Sequence, residues 1–176
     1  MKYPIVYGGI AGAIAIAVIV ASLVLHMPNH NHSLWFGYLV MLTALTLIFF
    51  GVKRYRDVEC GGIIGFGRAF GMGLGMAVVA GVVYVAVWEA FVAATGWDFM
   101  AEYAGSIIEG MRADGASPAA IAAKEEEMRA FEEIFANPLL RIPMIFVEIF
   151  PVGLLVALVS AALLRNPRLL PARAAD

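Results

Sequence analysis

Cysteine is almost missing from this sequence. Cys60 is the only one in 176 residues, which rules out an intrachain disulfide and any multi-cysteine metal site. Charge is scarce as well. Asp, Glu, Lys and Arg make up 15% of the chain, whereas a soluble domain carries about 25%. The net charge of −2 supplies no basic stripe of the kind nucleic acid requires, so no nucleic-acid partner is expected. No Ser/His/Asp set and no nucleophile elbow appears, so no catalytic residue is assigned and no cofactor is expected. Alternation of polar and apolar residues over about ten positions, the mark of a membrane β-barrel strand, is absent too.

What the chain has instead is apolar length. Hydrophobic residues make up 62% of it. Four runs, about 4–26, 34–52, 70–95 and 139–164, are long enough to cross a hydrocarbon core that takes about 20 helical residues. The expected fold is therefore all-α and integral to a membrane, one domain over 1–176 with four transmembrane helices. The first run is longer than the roughly 7–15 apolar residues of a cleaved leader, so it is read as a span.

Lys and Arg in short loops set orientation. Lys2 precedes the first run, Lys53, Arg54 and Arg56 follow the second, and Arg68 comes soon after. Arg165, Arg168 and Arg173 follow the fourth. The turn 26–33 has no Lys or Arg, and the segment 96–138 has three against nine carboxylates. Both termini and the 53–68 loop are thus expected on the cytoplasmic side, N-in and C-in, with a tail over 165–176. Trp35 and Tyr38 at the start of the second run, and Trp88 and Trp97 at the end of the third, suit interfacial positions.

The outer segment carries structure of its own. Asp98, Glu102, Gly105, Glu109 and Arg112 share one helical face, and Phe99, Tyr103, Ile107 and Met111 the other. Gly115 suits a helix end, Ser117-Pro118 a helix start, and Asn137-Pro138 a stop. An amphipathic helical hairpin over about 98–136, lying on the outer side, is the expectation. Its acidic run "KEEEMRAFEE" (124–133) is most simply a solvated face.

With these pieces in view, the chain resembles a family of uncharacterised bacterial membrane proteins catalogued as domain of unknown function 4199. The resemblance rests on "GVKRYRD" (51–57), "GFGRAF" (65–70), "VWE" (87–89), "NPLLR" (137–141) and "EIFPVGLL" (148–155), in that order along nearly the whole chain. It implies a four-helix membrane protein, with no established activity and no site residues to carry over.

Several stretches invite a chemical reading. "CGGIIGFGRAFGMGLGM" (60–76) spaces glycine as G-x-G-x-x-x-G, one residue too long for a dinucleotide fingerprint, with no strand before it. Gly65, Ala69, Gly73, Ala77 and Gly81 recur every four residues and suit close helix packing, within one bundle or across a homodimer seam. Gly8/Gly12 and Gly9/Ala13/Ala17/Ala21 offer the same on the first helix. His26, His30 and His32 are the weak metal candidates. Pro28 makes their geometry irregular, and a solvated turn is the simpler reading.

Glu89 and Glu148 are carboxylates inside spans, where ionisable groups normally face a bundle interior and find partners. Helix lean brings their carboxyls to a similar depth, with Thr43 at that level and Arg141 leaning outward toward water. They are expected to share one polar pocket made of Glu89, Glu148, Thr43 and Arg141, with at least one carboxyl protonated at neutral pH, either as a structural pair hydrogen-bonded to Thr43, Tyr38 or Arg141 or as a working proton, ion or ligand site. Pro151 would free a backbone carbonyl near Glu148.

Three functions remain open. The first is an inner-membrane interaction or assembly component of the cell envelope. The second is a small proton- or cation-coupled carrier using Glu89 and Glu148. The third is a membrane enzyme acting on lipid at the outer face. The partners expected are the lipid bilayer and a second copy or another membrane protein.

Overall fold

The computed structural model describes residues 2–25, 34–96 and 98–171. His26, His30, His32, Trp97 and Arg173 lie outside them, and so does the 26–33 turn. Every regular element among the described residues is helical. The first helix opens as a π-helical turn, Pro4–Gly8, and continues as α1, Gly9–Val24. Then come α2, Leu34–Glu59, and α3, Phe66–Thr95, followed by α4, Phe99–Ala113, α5, Pro118–Ala136, and α6, Pro138–Leu164. Among the described residues four helices, of 21 to 30 residues, are long and apolar enough to cross a membrane.

The second helix runs well past the apolar stretch that announced it. Lys53, Arg54 and Arg56 sit on its last two turns, not in a loop. Hydropathy marks the thickness of lipid; Lys and Arg are good helix formers and carry the helix onward. Its end is set by Gly61 and Gly62, at φ +62° and +86°, with the Gly62 N–H donating to the Arg56 carbonyl at 3.0 Å. This is a glycine-terminated helix end. The start of the glycine-rich stretch is therefore a turn.

The chain folds as two compact units, Met1–Trp88 with Phe146–Asp176, and Glu89–Ile145. In the first unit α3 is the central helix. A methyl added at Gly8 or Gly12 of the first helix would collide with the backbone carbonyls of Met76 and Ala80. One added at Gly73 would come within 2.9 Å of the Ala157 Cβ, and one at Gly153 within 2.9 Å of the Ala77 Cβ. These pairings make α1 parallel and α6 antiparallel to α3. Small residues here let backbones approach closely, and dispersion contacts then replace lipid contacts. Ala77 and Ala80 are buried in this seam, and Ala69, Ile48, Leu45 and Ile16 are buried as well.

Gly65 departs from the expected stripe. It precedes α3, and a Cβ there would meet nothing within 4 Å. Gly67 and Gly71 also face open space. On the first helix the packed face is Gly8 and Gly12; Ala13, Ala17 and Ala21 are exposed.

The tail beyond α6 is held by a side chain that apolar patterning did not single out. Arg56 is fully buried. Its Nε donates to the Asp57 Oδ1 at 2.8 Å, Nη1 to the Leu169 carbonyl at 3.0 Å and Nη2 to the Leu170 carbonyl at 2.5 Å. At the same end of this unit Tyr3 donates to the Glu59 Oε1 at 2.9 Å, and Arg68 donates to the Tyr55 hydroxyl.

In the second unit α4 and α5 pack as a hairpin. The Asp98 carboxylate accepts from the Ala101 N–H and the Ser117 hydroxyl from the Ala120 N–H, capping each helix start. Gly115, at φ +74°, closes α4, where the Ala116 N–H reaches the Met111 carbonyl at 3.0 Å. Met100, Ile108 and Met128 form the buried side. Asp98, Glu102, Gly105, Glu109 and Arg112 are exposed.

Candidate functional site

The site is built where α5 ends and α6 begins. Asn137 breaks the chain between them. Its side-chain oxygen accepts from the Leu139 N–H at 3.0 Å, and its carbonyl accepts from the Leu140 and Arg141 N–H groups. Pro138 takes the first helical position, where its missing N–H costs nothing. This junction puts Arg141 in the first turn of α6, next to the last turn of α5, whose final carbonyls have no intrahelical donor.

Arg141 uses three edges of its guanidinium. Nη1 donates to the Phe135 carbonyl at 3.1 Å. Nε donates to the Glu89 Oε1 at 2.8 Å, and Nη2 to the Glu89 Oε2 at 2.6 Å. The guanidinium carbon lies 5.6 Å from the centre of the Phe135 ring. The two side chains are 14% and 25% exposed, Arg141 and Glu89 respectively. A bidentate fork of this kind combines charge with fixed geometry. The partial negative charge at the end of α5 also favours a cation there.

The expected lean of Arg141 toward water is therefore wrong. Its long stem brings the head back to Glu89, because a carboxylate and an orphan helix-end carbonyl are both within reach. Thr43 is exposed, and its hydroxyl donates to the Leu39 carbonyl of its own helix at 2.7 Å. Glu148 is exposed on α6 and makes no hydrogen bond or ion pair among the described residues. Glu89 and Arg141 join within the second unit.

What this arrangement can do chemically is limited and specific. A carboxylate gripped by two charge-assisted bonds has both oxygens engaged. It is a good clasp, tying the end of α3 to the junction between the hairpin and α6. Phe135 was not singled out for a polar role by the sequence; the Asn137-Pro138 break was the available signal, since it implies unsatisfied carbonyls just before it.

A family model described as "Protein of unknown function (DUF4199)" matches residues 6–166. No curated protein and no solved structure matches the chain.

Proposed function

Because the chain belongs to the DUF4199 family of proteins of unknown function, which brings no activity with it, we propose a function from the chain's own geometry. It is a multi-pass protein of a bacterial inner membrane, serving as an interaction or assembly component of the cell envelope. Both termini lie on the cytoplasmic side and the α4–α5 hairpin on the outer side.

The observation that carries this reading is the clasp. Glu89, one of two carboxylates deep in the spans, is occupied by Arg141, which also holds the end of α5. The charge is spent on fixing the hairpin's attachment, which suits a part whose work is to present a surface. That surface is mixed. Phe131 and Ile134 are exposed at 36% and 45%, beside a face on which Glu126 pairs with Arg129 and Glu127 with Lys124. Exposed apolar groups rimmed by charge suit a protein partner or the membrane interface.

A carrier keeps one observation in its favour, the unpartnered Glu148. Two measurements separate the readings. A photo-crosslinking residue at Ile134 should capture a discrete membrane-protein partner in cells, and the same partner should copurify in mild detergent. Reconstituted protein should pass no protons or monovalent cations above the level of empty liposomes. Flux that disappears in Glu148→Gln would replace the interaction reading with the carrier.

A further inference from the structure

Glu148 lies about 15 Å from the start of α6 and about 24 Å from its end, at 1.5 Å per residue. It is thus deep within the span by either measure. Placing a charge at such a depth costs a few kcal/mol, and intramembrane acids nearly always find a partner. Glu89 has one; Glu148 has none among the described residues, and it is exposed. Around it runs a stripe of exposed residues: Val147 at 62%, Pro151, Leu155 at 56%, Val159 at 48% and Ala162. A second polar group lies on that stripe. Pro151 has no N–H to give to the carbonyl of Val147, so this acceptor loses its helical donor.

A mid-span carboxyl with no partner among the described residues, beside a carbonyl that Pro151 deprives of its i+4 donor, means that lipid is not what covers this face. We infer that the Glu148 face of α6 is the interface with a second copy of this chain, the two Glu148 carboxyls meeting across a two-fold axis along the membrane normal. Three features select a second copy over a foreign helix. Two copies inserted the same way keep every residue at equal depth, so Glu148 necessarily meets a carboxyl at its own level. A two-fold contact is self-complementary, and a carboxylic acid both donates and accepts, so one residue type on the axis satisfies itself. The small-residue seam on α3, the other candidate for self-association, is already filled by α1 and α6 of the same chain. The Val147 carbonyl then offers the partner's carboxyl O–H a second acceptor.

Leu155→Cys in a Cys60→Ser background should form a disulfide-linked dimer on oxidation in native membranes. Val82→Cys, equally exposed at 57% on α3, should not. Step-counting of labelled protein in lipid nanodiscs should report dimers for the native chain and for Glu148→Gln, which keeps a donor and an acceptor. Glu148→Leu should fold with unchanged helicity and thermal midpoint but weaken dimerisation by about tenfold, the scale of a pair of interhelical hydrogen bonds in lipid. Monomers throughout, cross-linking through Val82 instead, or a Glu148→Leu dimer of unchanged strength would each overturn the inference. So would a native chain found only in a one-to-one complex with another protein through this face.

Discussion

Glu89 and Arg141 show how a single side chain changes the meaning of another. A neutral amide at Glu89 looks harmless if its neighbours are hydroxyls. Facing a guanidinium, it strands a positive charge at the end of a span. Glu89→Gln, Glu89→Met and Arg141→Met should therefore each cost about 3 kcal/mol, the lower end of what breaking one side of a buried pair costs, since Glu89 keeps some exposure. The double variant Glu89→Met/Arg141→Met should lose less than the sum, with a coupling of about 1–3 kcal/mol in reversible unfolding from detergent micelles. Simple additivity would mean that the clasp contributes nothing. The carboxylates were legible in the sequence as anomalies because charge is rare in lipid-length runs. Their partners were not legible. Which way an Arg stem turns depends on acceptors brought near by folding, here the Phe135 carbonyl. Which side of a membrane helix faces protein is also hidden, because lipid and protein interiors are equally apolar.

Helices were the most readable level. The four lipid-length helices, the cap at Ser117 and the glycine end at Gly115 follow from local chemistry, and the structure carries each of them; the cap at Asp98 went unread. Ends within polar sequence were harder to place, as the extension of α2 to Glu59 illustrates. The glycine periodicity was half informative, since a stripe of small residues does not say which members meet a neighbour. The distinction is measurable. Gly12→Leu and Gly73→Leu should each destabilise by about 1–3 kcal/mol or more and lower folded yield, through overpacking against Ala80 and Ala157. Gly9→Leu and Gly71→Leu face open space and should stay within about 0.5 kcal/mol. Equal effects at all four positions would contradict the packing described for α1, α3 and α6.

For the whole molecule, the proposal depends on which side of the membrane each part occupies. Lys2, Lys53, Arg54, Arg56, Arg68, Arg165 and Arg168 belong to the unit that holds both chain ends, and the hairpin unit carries most of the carboxylates. That asymmetry is the physical basis for placing the hairpin outside. The surface presented by Phe131 and Ile134 can meet an envelope partner only if it lies there. Labelling by a membrane-impermeant maleimide in cells whose outer envelope admits the reagent tests this directly. Ser117→Cys in a Cys60→Ser background should label at once in intact cells, while Cys60 in the native chain should label only after the membrane is opened. Immediate labelling of Cys60, with Ser117→Cys protected until lysis, would contradict the orientation and the envelope role built on it.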